Sequence, residues 1–426
     1  MGANTNKKRL ARNTLYLYIL TFSSYFFSLI TVPYQTRILG PEFYGKIGFA
    51  FAMMVYFRLI IDFGFILSAT ADVSQHREDR REVAKIYTAV MRAKMWLTAC
   101  SLLILLLICY AIPMFRQDWL LYILTFSSVA VSAFLPDFLY RGLETMKRIT
   151  IRTLLIQAFF VLMIFLFLKT PEHYYFVPLF TLIGNAVALL FALVHVSRKL
   201  QIKRAQLEKG YMKQTILKSF PFFLSRIAGT VYQTTNTFFL GLIYSPGNAK
   251  VGMYVASDRL VVTANAAFSP IADSLYPYMV KHRDFRLLRK ITAIVMPPVI
   301  IGCIVIGIYA NEFMGFLLGA EFYEAGSILR LLLPIIAMTP LTYMLGFPTL
   351  SPMGLAKHAN ISTVASAVVQ VVGVTTLFLS GTFHITTLCI VTVISQSSVL
   401  LYRALIIWKN RDHFARKELT NHDSTH

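Results

Sequence analysis

The chain has 426 residues, of which 56% are hydrophobic and only 14% are charged. A soluble domain carries about 25% charged residues, so this composition excludes ordinary soluble, disordered and fibrous proteins. The charges present are strongly basic, with 41 Lys and Arg against 20 Asp and Glu. In a soluble protein that excess would suggest nucleic-acid binding, but the long apolar runs along the whole chain indicate a membrane protein.

Twelve apolar stretches are long enough to cross a bilayer, for which a helix needs about 20 residues. Their approximate bounds are 13–33, 45–68, 95–112, 119–140, 152–169, 174–196, 216–242, 251–277, 291–312, 326–350, 359–380 and 384–408. Only helices and closed barrels satisfy their backbone polar groups inside lipid. The sequence therefore predicts an all-α, polytopic membrane protein with about 12 transmembrane helices and no soluble domain.

Basic residues alternate along the connections between these spans. With the N-terminus inside, the inner segments hold 32 Lys and Arg and the outer loops hold five. Because Lys and Arg favour the cytoplasmic side of a membrane, this pattern supports an even number of spans and places both termini in the cytoplasm. Within one inner segment, residues 72–94 are expected to form an amphipathic helix on the membrane surface.

No pattern of catalytic residues is visible. Residues 40–46 read GPEFYGK, which has the outline of a phosphate-binding loop, but Ile47 stands where Ser or Thr should bind magnesium and no strand precedes it. We interpret this segment as a tight corner between the first two spans. Neither metal-ligand spacing nor a nucleophile with its base is present, so the sequence predicts a protein that is not an enzyme and has no cofactor, no metal site and no nucleic-acid partner.

Eight ionisable residues remain inside predicted spans: Arg58, Asp62, Asp137, Arg226, Asp258, Arg259, Asp273 and Arg330. Each costs at least about 2.5 kcal/mol at membrane depth, so such residues normally face a partner or a polar cavity. Arg58 and Asp62 are four residues apart and share a helix face. They form either a neutral structural pair or a cavity-facing pair in which the Arg exchanges Asp62 for a substrate anion. Asp137 is expected to pair with Arg141 at an inner helix end.

The seventh span carries a polar stripe at helical spacing, formed by Arg226, Thr230, Gln233 and Thr237. Such a stripe lines either a helix contact or a water-filled path, and the presence of Arg226 favours the path. The eighth span adds Asp258, Arg259, Asn265 and Asp273.

Spans one, two, seven and eight occupy corresponding places in two six-span halves. The corners LGPEFYGKIGFA (39–50) and SPGNAKVGMYVA (245–256) look alike, and transporters commonly place their sites between such repeats. The sequence predicts an N-terminal lobe at 1–196, a cytoplasmic linker at 197–218, a C-terminal lobe at 219–408 and a cytoplasmic tail at 409–426.

Several of these segments resemble one family. The segments are TVPYQTRILGPEFYGKIGFA (31–50), IDFGFILSATADVSQHRED (61–79), PFFLSR with TNTFFLG (221–241) and VGMYVASDRLV (251–261). They resemble the Wzx-type O-antigen flippases, which are bacterial lipid-linked oligosaccharide flippases of the multidrug/oligosaccharidyl-lipid/polysaccharide exporter superfamily.

The resemblance implies two six-helix lobes around a central cationic cavity. It implies alternating access that moves an undecaprenyl-diphosphate-linked oligosaccharide from the inner to the outer leaflet of the bacterial plasma (inner) membrane, for O-antigen, capsule or exopolysaccharide synthesis. Arg58, Arg226 and Arg259 match its embedded cations, and Arg37 matches its corner motif, with a role in release, gating or binding. Docking with a polysaccharide polymerase and a chain-length regulator stays open.

From the residues themselves, Thr230, Gln233, Thr237 and Asn265 are the candidate polar contacts to this substrate. Asp62, Asp258 and Asp273 are hypothetical groups for H+ or Na+ coupling, since a carboxylate among cations can change its charge as a cavity opens.

Two other readings compete. A multidrug exporter of the same superfamily would need an acidic, aromatic cavity for cationic drugs, whereas the embedded charges here are balanced and the seventh span carries Arg226. A polymerase, ligase or glycosyltransferase acting on the same lipid would need a large outer loop. The longest predicted outer loop, near residues 312–325, is too short for one.

Overall fold

The computed structural model describes the backbone of residues 2–423 except residue 203, and the side chains of 15–410 except 17, 203 and 228–233. Helices and short connections make up the described residues, which contain no β-strand. The predicted all-α fold is confirmed. The chain forms two compact units, Met1–Gly252 and Met253–His426.

The first unit contains nine helices and the beginning of a tenth in its described part. These are α1 (Gly2–Asp62), α2 (Phe65–Gln75), α3 (Arg80–Ala111), α4 (Pro113–Gln117), α5 (Trp119–Ala133), α6 (Asp137–Gly142), α7 (Met146–Phe167), α8 (Phe176–Val194), α9 (Tyr211–Tyr244) and α10 (Ala249–Ala266). A π-helical turn, His195–Lys199, extends α8. The second unit continues α10 and adds α11 (Ser269–His282), α12 (Phe285–Ile308), α13 (Ala310–Leu318), α14 (Ala325–Met344), α15 (Phe347–Leu350), α16 (Ala356–Leu379) and α17 (Ile385–Asp423).

Helix α9 belongs to the first unit because it packs along α1. The rings of Phe49 and Phe238 stack with centroids 5.8 Å apart, and the hydroxyls of Tyr56 and Thr235 lie 3.4 Å apart. The first unit therefore includes α9 as well as the predicted linker of residues 197–218. The predicted lobes, 1–196 and 219–408, stay a prediction about function.

Nine helical segments in the described part of the chain are long and apolar enough to cross a membrane. The first, Tyr18–Gln75, has 58 residues and is about 87 Å long at 1.5 Å per residue, far more than one bilayer. It is interrupted at Gly40, whose φ of 65° and ψ of 173° are not helical, and again between α1 and α2. Two predicted spans therefore lie in it, whereas the total of twelve crossings stays a prediction.

Apolar side chains cover the outside of several helices. In α12, no residue of the most apolar 18-residue stretch is buried. Elsewhere, the side chains of Phe191, Phe316 and Leu379 are each more than 70% exposed. Surfaces of this kind are stable in lipid and aggregate in water. The protein is a multi-pass membrane protein, as the sequence predicts.

Helix α3 corrects the prediction for residues 72–94. It is continuous over 32 residues, and its first half does not lie on a surface. Val83, Ile86 and Val90 belong to the main apolar core of the first unit, together with Phe65 of α2 and Phe138 of α6. A stripe of apolar residues three and four apart buries this half of the helix against its neighbours.

Candidate functional site

A kink after α1 positions the candidate site. Phe63 and Gly64 both have left-handed dihedrals, with φ of 39° and 77°, so the predicted span 45–68 breaks here. A methyl group on Gly64 would lie 2.7 Å from the backbone nitrogen of Phe223, and the rings of Phe63 and Phe223 stack with centroids 4.5 Å apart. Only glycine allows both this conformation and this close approach, and the contact holds α9 against the end of α1.

Asp62 is the last residue of α1, and it forms a buried ion pair. Its Oδ1 lies 2.9 Å from Nζ of Lys94 on α3, and the two side chains are 12% and 5% exposed. Lys94 also donates to the carbonyl oxygen of Ala133. Lys94 ends the predicted inner segment 72–94 and is therefore absent from the predicted embedded charges. A signal was present, because Val83, Tyr87, Val90 and Lys94 follow one another at helical spacing on a single face.

Two further cations surround Asp62. Nε of Arg58 lies 3.5 Å from Oδ2 of Asp62, and the Arg58 side chain is 52% exposed. Arg226 of α9 acts electrostatically on Asp62 as well, since it follows Phe223 by three residues. Its Nη1 is buried and has no hydrogen-bond partner among the described residues. The structure thus brings together two cations that the sequence singled out and one that it missed.

This embedded charge cluster, Arg58, Asp62, Lys94 and Arg226, has a net charge of about +2 in its fully ionised form. A surplus of cations inside an apolar unit is costly unless an anion compensates it. Lys94 is held by Asp62 and a carbonyl oxygen, so it is the anchored member. Arg58 and Arg226 keep donors for a ligand, and an Arg guanidinium matches phosphate oxygens with two parallel hydrogen bonds.

The other predicted site residues of the first unit lie elsewhere. Arg37 is exposed and precedes the interruption at Gly40, whereas Arg58 follows that interruption by 18 residues, which is about 27 Å along a helix. Thr237 is half-buried on α9. The side chains of Thr230 and Gln233 lie outside the described residues. The buried polar residues of α9 near them are Thr235 and Asn236, which are 3% and 7% exposed.

In the second unit, the predicted residues Asp258, Arg259 and Asn265 lie on α10, and Asp273 lies on α11. Asp258 is half-buried, whereas Arg259 and Asp273 are exposed. Oδ1 of Asn265 is buried and has no hydrogen-bond partner in the described part of the chain. The predicted eighth span, 251–277, is broken between α10 and α11 at residues 267–268.

Arg403 of α17 is a second buried cation, which was not among the predicted embedded charges. It is 8% exposed, and its Nε donates to Oγ of Ser362 at 2.9 Å. Its other nitrogens donate to the carbonyl oxygens of Thr342 and Ala359. It joins α14, α16 and α17, so its role is structural.

The predicted pair of Asp137 with Arg141 is wrong. Oδ1 of Asp137 lies 2.8 Å from Nη1 of Arg152 on α7. Asp137 opens α6, and the turn between α6 and α7 brings the side chain of Arg152 to it. Across the described residues, no three His, Cys, Asp or Glu side chains are grouped as a metal site would require.

Comparison with known proteins identifies the family of this chain. Residues 10–283 match the family of polysaccharide biosynthesis proteins. A protein of Escherichia coli (strain K12), named as an O-antigen transporter, is 28% identical over 274 residues, which cover 64% of this chain and 66% of that protein. The chain thus matches just under two thirds of that relative's length. An O-antigen transporter of Shigella dysenteriae is 27% identical over 372 residues, which cover 84% of this chain and 90% of that protein.

Solved structures show the same fold. The lipid II flippase MurJ, in an inward closed conformation, matches with a TM-score of 0.71 and 13% identity, over 92% of this chain and 87% of that chain. An inward-facing multidrug resistance MATE family transporter of the MOP superfamily matches with a TM-score of 0.62 and 13% identity, over 92% of this chain and 99% of that chain. These findings confirm the resemblance seen in the sequence. The chain belongs to the family of polysaccharide biosynthesis proteins, whose relatives named here are transporters and not enzymes.

Proposed function

We propose that this protein is a flippase that moves an undecaprenyl-diphosphate-linked oligosaccharide from the inner to the outer leaflet of a bacterial plasma membrane. The family match and the O-antigen transporter relatives support a lipid-linked oligosaccharide as the substrate. The fold shared with a lipid II flippase supports transport across a bilayer. The product would serve the synthesis of a surface polysaccharide.

The observation that carries the proposal is the charge of the embedded cluster. Asp62 compensates one of three cations, Arg58, Lys94 and Arg226, which leaves a surplus of about +2 that a diphosphate, with about two negative charges, would neutralise. Carrying that head group bare through hydrocarbon would cost tens of kcal/mol by ion solvation alone. Donors held in the protein replace its hydration at the place where they are needed.

Each member of the cluster has a distinct proposed role. Lys94 neutralises Asp62 and holds it, so Arg58 can leave Asp62 and bind a phosphate oxygen. Arg226 supplies a second guanidinium, whose buried Nη1 has no hydrogen-bond partner among the described side chains. Thr237, with Thr230 and Gln233 on the same helix, is proposed to contact the rest of the head group.

The remaining residues carry separate proposals. In the second unit, Arg259 and Asn265 bind substrate, and Asp258 and Asp273 couple transport to H+ or Na+, as Asp62 would in the first unit. Arg37 acts in gating or release. Transport proceeds by alternating access of the lobes 1–196 and 219–408. Both termini lie in the cytoplasm, and polysaccharide polymerase and a chain-length regulator are the proposed protein partners.

Replacement of Arg226 tests this function. In a host strain from which the gene is deleted, lipid-linked repeat units should accumulate on the inner leaflet and surface polysaccharide should be lost. We expect wild-type protein to restore the polysaccharide, Arg226→Ala to lower transport on the order of a hundredfold, and Arg226→Lys to keep part of it, since two charge-assisted hydrogen bonds contribute about 3 kcal/mol. The readout is lipid-linked sugar on each leaflet, normalised to protein in the membrane.

Arg92→Ala is the matched control, because Arg92 is an exposed cation on α3 outside the cluster. It should transport as wild type does. Full transport by Arg226→Ala would remove Arg226 from the site. Normal surface polysaccharide in the deletion strain would overturn the flippase function itself.

A further inference from the structure

A groove of about 620 Å³ runs between α7 and α8 in the first unit. Its walls are apolar side chains three and four residues apart on each helix, among them Ile151 and Leu155 on α7 and Val187 and Phe191 on α8. Leu155 and Phe191 are 66% and 72% exposed. No residue of the embedded charge cluster lines this groove, so it is a separate feature.

One end of the groove is strongly basic. Arg148, Arg152, Arg198 and Lys199 line it, and no Asp or Glu is among its described lining residues. Asp137 compensates Arg152, which leaves three cations without a carboxylate in the groove. Arg148 and Lys199 both act electrostatically on His195, so both cations lie near this side chain.

Arg152 adds an independent observation. Its side chain is 12% exposed, and its buried Nε has no hydrogen-bond partner among the described residues. Nearby, the hydroxyl of Tyr140 lies 3.2 Å from Nδ1 of His195. Buried donors without partners are rare in proteins, and donors together with cations are what a phosphate group requires.

The depth of the groove matches one leaflet. From Arg148 to Phe159 the helix rises about 16 Å, and half of the hydrocarbon core is about 15 Å thick. The groove extends as far as Gly184, where α7 and α8 pack closely, since a methyl group there would lie 3.2 Å from Cγ2 of Ile156 and 3.4 Å from Cδ1 of Phe159. An acyl chain lying in the groove would therefore span about the length of one leaflet.

We propose that this groove binds an anionic phospholipid. The phosphate lies at Arg148, Arg198 and Lys199, and one acyl chain runs between α7 and α8 as far as Gly184. The apolar walls argue against a free phosphate ion as the ligand. The length of the groove argues against a polyprenyl chain, which is longer than one leaflet. Basic pockets between membrane helices on the cytoplasmic side bind such lipids, and the basic end belongs to two segments predicted to be cytoplasmic. The inference does not depend on the proposed transport function.

Native mass spectrometry of the purified full-length protein tests the head-group contacts. The probes are phosphatidylglycerol and phosphatidylcholine with the same acyl chains. We expect wild-type protein to retain phosphatidylglycerol preferentially. The double variant Arg148→Gln/Arg198→Gln should lower that preference about thirtyfold, which corresponds to about 2 kcal/mol for two basic residues near an anionic lipid.

The control double variant is Lys147→Gln/Lys209→Gln, which removes the same charge from exposed positions that do not line the groove. It should keep the wild-type preference. An equal loss in both double variants would mean attraction to the surface charge as a whole and would overturn the proposal, as would the absence of any preference in the wild type.

A second pair of variants tests the apolar part. Val187→Trp fills the groove and should weaken retention of phosphatidylglycerol, whereas Leu190→Trp, on the same helix but outside the groove, should not. Equal retention by both would show that no acyl chain lies there. Displacement of phosphatidylglycerol by an equimolar polyprenyl phosphate would overturn the assignment to phospholipid and make the groove a path for the substrate lipid.

Discussion

At the scale of single residues, two cations sit in apolar surroundings, and each is stabilised differently. Lys94 has a carboxylate partner, Asp62, at 2.9 Å. Arg403 donates to the hydroxyl of Ser362 and to backbone carbonyl oxygens. A Lys is a point charge that one carboxylate can satisfy, whereas an Arg has five donors in a plane and needs several acceptors. Lys94 therefore belongs to a charge cluster, whereas Arg403 joins three helices.

Removal of Lys94 should destabilise the protein. Lys94→Ala leaves Asp62 buried with only Arg58 and Arg226 to compensate it, and breaking a buried pair costs about 3 kcal/mol. Thermal unfolding of the purified protein in detergent should show a lower Tm than that of Arg92→Ala, which changes an exposed residue of the same helix. The double variant Asp62→Asn/Lys94→Met should recover part of the loss, because neither charge is then left alone. A double variant less stable than Lys94→Ala would contradict the pairing.

At the scale of elements, the two similar corners of the sequence meet each other. A methyl group on Gly45 would lie 2.8 Å from the backbone nitrogen of Gly252, and a methyl group on Gly252 would overlap the carbonyl oxygen of Pro41. The unusual dihedrals of the first corner belong to Gly40, not to Gly45. Gly45 is required instead for the close approach of two backbones.

The contact between the corners predicts the effect of Gly252→Ala. Backbone atoms cannot move aside as a flexible side chain can, so the added methyl should cost about 3 kcal/mol or more, the upper range for overpacking. Size-exclusion chromatography of the fluorescently tagged protein should show less folded monomer. Gly302→Ala is the control, since no atom lies within 4 Å of the added methyl. Equal yields of folded protein from both variants would refute the contact.

Helix α3 begins at a capped end outside the membrane. Oδ1 of Asp79 accepts hydrogen bonds from the backbone nitrogens of Glu82 and Arg81, at 3.2 and 2.9 Å. These bonds to the charged form hold the pKa of the Asp79 carboxyl below its usual value. The stabilisation by this carboxylate is therefore present above the unfolded pKa of about 3.9 and is lost as the pH falls through the lower folded value.

Asp79→Asn should reveal this dependence. At pH 7 the wild type should have the higher Tm, because Asn caps a helix without the favourable charge at its N-terminus. The difference in Tm should shrink as the pH is lowered below about 3.9, where Asp79 becomes protonated. Comparing the two proteins at each pH cancels the titration of the other carboxylates. A difference that grows at low pH would contradict the assignment.

At the scale of the whole molecule, the charge distribution predicts the orientation in the membrane. The described helices expose apolar faces, while most Lys and Arg lie in the segments predicted to be cytoplasmic. Lys94 is an exception, since it ends the predicted inner segment 72–94 and is buried. The bias in the remaining loops still predicts the topology, because short loops with several Lys or Arg resist translocation.

Labelling of introduced cysteines tests the orientation. The starting protein replaces the four native cysteines, Cys100, Cys109, Cys303 and Cys389, by Ala. A membrane-impermeant maleimide added to intact cells should label Lys250→Cys and should not label Lys209→Cys, although both positions are exposed. Both should react after the membrane is permeabilised. Labelling of Lys209→Cys in intact cells would reverse the predicted topology.

The sequence by itself determined the class of protein and the family, and it predicts the approximate spans and the orientation. These follow from hydropathy and loop charge, which are summed over many residues and tolerate local errors. It also identified Arg58, Asp62 and Arg226 as embedded charges, because an ionisable residue in an apolar run is conspicuous.

Only the tertiary structure decided which charges meet. Lys94 contacts Asp62 because α3 is one helix that includes the less apolar residues before the predicted span 95–112. Arg226 lies near both residues because α9 packs against the Phe63–Gly64 kink. Asp137 pairs with Arg152 because a turn, not a helical repeat, sets their distance. Such pairings depend on contacts between residues far apart in the chain, and the helical spacing of one sequence cannot specify them.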